Sequence, residues 1–340
     1  MAPTRSEAAA GWLRRTLRGC VAPLARPESF DRPIFILAAP RSGSSFLYEC
    51  LCQFDDLVHL EGEADPIWWR HFPYPAAMGA SDHVAVDAVT VEALQSFARD
   101  LYRAAVISWT RRRARWSAPL HLAGIRPIRY LDKTVANCFH LEVLERLFPD
   151  ARYVFLIRDP RANIASMIEG WPQLERFGKP RLSPLLRRQA ARTIEHWTYP
   201  APPGWQHVVD RPLAEICAWS WQQHVESALS FCARRAGDVI QVRYEELAED
   251  PLPVVREIAA KLGLRWSADV ARYVSAAPLS RTTVTHPSQG KWQVKYANEI
   301  ARILPQVQAT ARRIGYELET MAPEPARRGD GDCLSRTTPA

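Results

Sequence analysis

"FILAAPRSGSSFLYECL", residues 35–51, carries an apolar run into a Gly- and Ser-rich turn and out into a pattern with helical spacing. A strand that hands a tight turn to the start of a helix is the opening unit of an α/β fold. Pro40 ends regular pairing, Arg41 offers a fork of donors, Gly43 lets backbone approach a ligand closely, and Ser44 and Ser45 fall in the first turn of the helix. Free backbone N–H groups and the positive end of the helix dipole converge there, which makes an anion site. From this stretch alone, a plain strand-to-helix turn with an N-capping serine reads equally well. The nucleotide-hydrolase pattern GxxxxGK[ST] requires Gly at position 38 and Lys at position 44, where the chain has Ala38 and Ser44. Arg41, placed before the glycine, can instead meet a phosphate bidentately and without a metal.

Outward from this unit, short β-branched and aromatic runs alternate with longer helical patterns. The spacing predicts strands over 34–39, 128–131, 152–157 and 239–243, and helices over 44–53, 91–113, 137–147, 161–169, 213–235, 252–262 and 298–314. Such alternation implies a three-layer α/β sandwich, a mostly parallel central sheet flanked by helices. Residues 1–30 are Ala- and Arg-rich with Pro23 and Pro27 and read as a flexible arm; residues 321–340 read as a disordered tail. Between them, 31–320 reads as one domain with Pro- and Trp-rich insertions at about 62–90 and 171–212. Insertions of this kind serve as lids or substrate walls, or simply cover the sheet. Their aromatic residues (Trp68, Trp69, Phe72, Tyr74, Trp171, Trp197, Tyr199 and Trp205) could stack a ring of an acceptor or pack the insertions down.

The bulk numbers exclude several classes. Apolar runs such as "YVFLI" fall well short of the roughly 18 residues that span a bilayer, and the N-terminus lacks a compact signal-peptide pattern. The expectation is a cytoplasmic protein with no integral membrane segment. Seven cysteines, scattered and without a CxxC pair, read as reduced thiols. A formal net charge of +7 suits an anionic ligand, but no helix-turn-helix, zinc-finger or aromatic RNA-binding signature accompanies it, so no nucleic-acid partner is expected.

"FPDARYVFLIRDPRANIASMIEGW", residues 148–171, supplies a second anion site. A buried strand delivers Arg158 at its C-terminal end, Pro160 suits the first position of a helix, and Ser166 follows on that helix. In open parallel sheets, ligands bind beyond the carboxyl ends of the strands, where Arg158 falls. Taken alone, Arg158 could equally pair with Asp159 or with a neighbouring helix terminus.

"PRSGSSFL", "LDKT", "RDPRANIASM", "VRYEELAEDP" and "GKW", in that order, together resemble the sulfotransferases that use 3′-phosphoadenosine 5′-phosphosulfate (PAPS), above all the tyrosylprotein-like and carbohydrate branches. The likeness runs from about residue 33 to 316. It implies a P-loop-like fold in which Arg41, Ser42, Gly43, Ser44 and Ser45 hold the 5′-phosphosulfate and Arg158 and Ser166 bind the 3′-phosphate. It further implies that Lys291 closes over the phosphates, with Gly290 giving it room and Ser288 and Trp292 nearby. Lys133 would lie against the bridging oxygen. A glutamate after the first helix would be the general base: Glu63 by preference, Glu61 next, with Asp65 in the same turn, and His59 or His71 if all three acids are merely solvated. The "VRYEELAEDP" segment is a landmark from which no chemistry is expected, with Asp250 and Pro251 capping and starting a helix. The implied activity is sulfuryl transfer from PAPS to a hydroxyl of a metabolite, glycolipid or saccharide, leaving adenosine 3′,5′-bisphosphate, with no metal required and a homodimer as one option for assembly. The competing classes are a P-loop kinase of small molecules and a non-catalytic nucleotide-binding protein.

Overall fold

Alternate residues of the central strands go to opposite cores. Ile34 and Ile36 of strand β1 (Ile34–Leu37) join Leu131, Val154 and Leu156 on one face of the sheet, whereas Phe35 and Leu37 join Tyr130, Tyr153, Phe155 and Ile157 on the other. Both sets are almost wholly buried. Strands buried on both faces need continuous apolar sequence, which is why "IFIL" and "YVFLI" lack the polar alternation of a half-exposed strand. A computed structural model describes residues 29–72, 81–112, 127–179, 182–189, 191–286 and 290–318. The expected arm and tail lie almost wholly outside the described residues.

The sheet has five parallel strands in the order β2-β3-β1-β4-β5. After β1 come β2 (Val58–His59), β3 (Tyr130–Asp132), β4 (Arg152–Ile157) and β5 (Val239–Arg243). Helices α1 (Ser44–Leu51), α2 (Asp65–His71), α3 (Val91–Arg112), α4 (Leu141–Leu147), α5 (Pro160–Gly170) and α6 (Leu213–Arg234) follow the chain order between the strands. After β5 come α7 (Tyr244–Glu249), α8 (Pro251–Leu262), α9 (Ala268–Ala276), α10 (Lys291–Lys295) and α11 (Ala297–Arg313). Helices α1, α8 and α9 cover one face through residues such as Leu47, Ile258 and Val274, and α3, α5, α6 and α11 cover the other. This is the three-layer arrangement that the alternation of elements predicts. Each fully buried Leu or Phe of these layers contributes about 1.5–3 kcal/mol.

Several boundaries differ for local reasons. The expected helix over 137–147 is broken at His140, with a 3₁₀ turn Val135–Phe139 before α4. The expected strand over 128–131 starts at Tyr130, and Ile128 makes only an isolated bridge to Phe30. The two-residue β2 has no sequence signature of its own and exists because it pairs with β3. Asp159 caps α5 by accepting from the Arg161 N–H at 2.8 Å, and Asp250 caps α8 ahead of Pro251, as the sequence implies. The insertions are less irregular than expected: 62–90 holds α2, and 171–212 holds short helical turns at Leu174–Phe177 and Ser183–Arg187. Trp68, Trp171, Trp197 and Trp205 are core residues. No helix among the described residues is long and apolar enough to cross a membrane. Among the described residues the five cysteines are free thiols.

Candidate active site

Because all five strands are parallel, their C-terminal ends open on the same edge of the sheet, and each delivers one part of a single cleft of about 740 Å³. β1 supplies Arg41, β2 leads to Glu63, β3 to Lys133, β4 to Arg158 and β5 to Tyr244, and all of these residues line the cleft. Gly43, Ser44, Ser45, Ser166 and Lys291 line it as well.

The loop after β1 is anchored from α5. Asn163 donates to the Pro40 carbonyl at 2.6 Å, and its side-chain oxygen lies 2.7 Å from the Ser42 hydroxyl. Ser42 is buried, bonds inward to Asn163 and Ala39, and does not line the cleft, so its side chain is a tie within the loop rather than a ligand group. Arg41 has a left-handed backbone (φ 65°), a conformation that costs a non-glycine residue roughly 1–2 kcal/mol. Arg158 stabilises it by donating to the Arg41 carbonyl at 2.8 Å. The two expected anion-binding arginines therefore belong to one unit. Their side-chain Nε atoms are both buried without an acceptor. Burial, first, and the nearby Arg158 and Arg176 lower the affinity of the Arg41 guanidinium for its proton. An anion between these cations would relieve both conditions.

Gly43 has φ 93°, and a Cβ there would meet the Tyr244 ring at 2.3 Å. The space that Gly43 leaves is thus filled by an aromatic ring, which also stacks on the Arg158 guanidinium at 4.3 Å. The next residue, Glu245, accepts from the Asp159 N–H at 2.8 Å. The landmark segment, from which no chemistry is expected, consequently has a part in shaping the site: it braces Arg158 and walls the loop. With Gly43 as N-cap and no side-chain cap, the first-turn amides of α1 at Ser44 and Ser45 have no intrahelical acceptor.

Lys133 Nζ donates to Glu63 Oε1 at 2.6 Å, and the Val135 N–H reaches Glu63 Oε2 at 3.5 Å. Burial alone would raise the Glu63 carboxyl, but Lys133, Lys179 and the Val135 amide together hold it below the ordinary carboxylate range. Asp65, two residues on, pairs instead with the buried Lys179 at 2.6 Å, and burial pushes its carboxyl up to about 6. Glu61 lines the cleft in an exposed position. His59 is buried away from the cleft and His71 pairs with Asp100 at 3.1 Å, so neither of the alternative bases faces the site.

On the far rim, Lys291 bonds Glu169 at 2.8 Å, and Lys295 reaches the same carboxylate at 3.0 Å. Burial opposes the charge on Glu169, but hydrogen bonds from Lys291, Thr285 and Lys295 hold its carboxyl down to about 2. Gly290 takes φ 68° at the start of α10 without itself lining the cleft, Trp292 lines it with Arg161 over its ring at 5.1 Å, and Ser288 falls outside the described residues. Of the candidate aromatic residues, Trp69 and Tyr199 line the cleft and Tyr74 falls outside the described residues. Phe177, Lys179, Glu169 and Tyr244 line it without having been anticipated. Only the Pro- and Trp-rich composition of the second insertion hinted at the first two.

Residues 33–268 match the family described as "Sulfotransferase family". The chain is 21% identical over 217 residues to protein-tyrosine sulfotransferase 1 of Danio rerio, an alignment that covers 59% of this chain and 52% of the relative. It therefore spans about half the length of that curated relative. Solved structures of sulfotransferases are similar as well. Sulfotransferase STF9 from Mycobacterium avium is 14% identical with a TM-score of 0.47, over 92% of this chain and 82% of that one. Mouse sulfotransferase SULT7A1 complexed with PAP is 15% identical with a TM-score of 0.44, over 87% and 89%.

Proposed function

The chain belongs to the sulfotransferase family, and on that premise we propose that it transfers a sulfuryl group from PAPS to the hydroxyl of a small-molecule acceptor, a metabolite, glycolipid or saccharide. The observation that carries this reading is the contact of Glu63 with Lys133 at 2.6 Å in the same cleft as Arg41 and Arg158. An acid-base pair and two anion-binding arginines are what such a reaction requires, and a nucleotide with phosphates at both ends matches the two cationic positions.

The residues suit that donor. Arg41 and the first-turn amides of Ser44 and Ser45 would hold the 5′-phosphosulfate, Arg158 and Ser166 the 3′-phosphate, and Lys291 would exchange its bond to Glu169 for the donor's phosphates. PAPS, when bound, supplies a sulfuryl group on an anhydride whose bridging oxygen departs with the 5′-phosphate. Glu63 accepts the proton of the acceptor hydroxyl, for which it must be ionised, and its depressed carboxyl is ionised throughout the neutral range. Lys133 donates to the departing oxygen, placing a positive charge where negative charge develops. Trp69, Phe177 and Tyr199 also line the cleft, Phe177 under the Arg41 guanidinium at 4.8 Å and Trp69 beside Lys179, and they offer apolar wall to an acceptor ring.

The test is calorimetric titration of the protein with adenosine 3′,5′-bisphosphate in EDTA, with ADP run alongside. Tight, metal-free binding that depends on the 3′-phosphate is expected; equal affinity for ADP would refute the assignment of Arg158 and Ser166.

A further inference from the structure

Thr134 follows Lys133 and occupies the N-cap position of the 3₁₀ turn Val135–Phe139, yet its hydroxyl makes no cap bond to that turn. A threonine at this position ordinarily accepts an amide of its own helix. Here it accepts the N–H of Ala64, 70 residues earlier in the chain, at 2.7 Å. Having accepted that bond, the hydroxyl donates its one proton to Asp132 Oδ1 at 3.0 Å. Asn137 donates to the other oxygen of Asp132 at 2.6 Å, and Tyr130 lies 3.4 Å from the first. Thr134 and Asp132 are almost completely buried. The direction of every bond in the chain from Ala64 to Thr134 to Asp132 is therefore fixed, and no solvent competes for it.

Ala64 is the residue after Glu63. Three contacts consequently join residues 63–64 to residues 133–135: the Lys133–Glu63 ion pair, the Val135 amide on Glu63, and the Ala64 amide on Thr134. The first cannot survive the reaction proposed above. In-line transfer puts the attacking and departing oxygens on opposite sides of the sulfur, so a base on one side and a lysine on the other must separate to admit it. When Lys133 turns to the departing oxygen, the other two contacts still tie residues 63–64 directly to residues 133–135.

We infer that Thr134 is a positioning residue, oriented by Asp132, that keeps the Glu63 loop in register with the Lys133 loop once their ion pair opens. This inference rests on the reading of Glu63 as base and Lys133 as leaving-group donor. Asp132 carries no bond to the cleft; its task is to fix the hydroxyl of Thr134 as acceptor of the Ala64 amide. The Thr134 methyl packs in the interior, so valine preserves shape and removes only the two hydrogen bonds.

The full chain is compared with Thr134→Val and Thr134→Ser for single-turnover release of adenosine 3′,5′-bisphosphate from PAPS with water as acceptor, and for affinity to that nucleotide. Small misplacements of reacting groups cost up to about 100-fold, so Thr134→Val should react on the order of 10- to 100-fold more slowly, with nucleotide affinity within about twofold and Thr134→Ser recovering most of the rate. Hydrogen exchange of the peptide carrying Ala64 should quicken in Thr134→Val alone. A full rate in Thr134→Val, an equal loss in Thr134→Ser, or a parallel loss of nucleotide affinity each overturns the inference. Asp132→Leu, which is close in shape and removes the acceptor of the Thr134 proton, repeats the comparison with Thr134 intact, so if Thr134→Val does not fold, an undiminished rate in Asp132→Leu still overturns it. Glu63→Gln is run alongside: a full rate in that variant refutes the assignment of the base, whereas a slow Glu63→Gln with a fast Thr134→Val refutes the positioning role alone.

Discussion

Glu63 is poised between burial, which would protonate it, and two lysines with an amide, which keep it charged. On the proposed reading Glu63 is the general base, which works only in its ionised form, so activity should be present above its pKa and lost as pH falls through it. Because the Glu63 carboxyl is held below the ordinary carboxylate range, the acid limb of kcat/KM, which reports the free enzyme, should lie below that range. Lys133→Ala removes the strongest of the charges opposing burial, so its acid limb should move to higher pH, while the rate of transfer falls more than nucleotide affinity does. A pH profile of the variant superimposable on that of the parent would show that Lys133 does not set the charge of Glu63. At this scale the sequence was a good guide to which residues meet, since Arg41, Glu63, Lys133, Arg158, Ser166 and Lys291 share one cleft. It was a poor guide to where side chains point. Ser42 stands in the loop motif but turns inward to Asn163, a partner 121 residues away that no local pattern reveals.

Elements explain why the loop after β1 needs its glycine. Gly43 combines a positive φ with a Cβ position already occupied by Tyr244, an obstacle set by β5 and α7 rather than by the loop. Gly43→Ala should therefore lose on the order of 1–3 kcal/mol by denaturant unfolding, from the strained backbone and from overpacking. Nucleotide affinity should fall with it, because Tyr244 also stacks on Arg158. Combining Gly43→Ala with Tyr244→Ala should recover the overpacking part of the loss but not the part due to φ, so the pair should be non-additive. Strict additivity would mean that Tyr244 does not limit the loop. The long elements were legible because their apolar periodicity is strong: β4 and β5 fall where the pattern puts them. The two-residue β2 and the one-turn helices of the second insertion are specified by their tertiary partners, and periodicity cannot report on segments that span barely one repeat.

Across the whole molecule, the choice between the two basic residue types marks the cleft more sharply than net charge does. Of the 44 Lys and Arg residues only five are lysines: Lys133, Lys179, Lys261, Lys291 and Lys295. Lys133, Lys179 and Lys291 line the cleft, and Lys295 bonds into it through Glu169. Arginine carries the remaining positive charge, including the surface pairs of Arg265 with Asp56 and Arg272 with Asp269. A lysine presents a compact charge on a flexible stem and can pass from one oxygen to another, whereas the planar arginine fork suits a fixed bidentate partner. Four of the five lysines thus stand at the cleft, and Lys133 and Lys291 are the two whose charge moves to the substrate on the proposed reading. Lys261, paired with Glu257 one turn away on α8, stands outside that group and serves as an internal control. Pyridoxal 5′-phosphate, an aldehyde that also carries a phosphate, followed by borohydride should label Lys291, Lys295 and Lys261, as mapped by mass spectrometry. Lys179, with a side chain 8% exposed and held by Asp65, should stay unlabelled. Adenosine 3′,5′-bisphosphate should protect Lys291 and leave Lys261 as reactive as before. Equal protection of both would mean that the nucleotide acts by stabilising the whole fold, and no protection of Lys291 would remove α10 from the donor site.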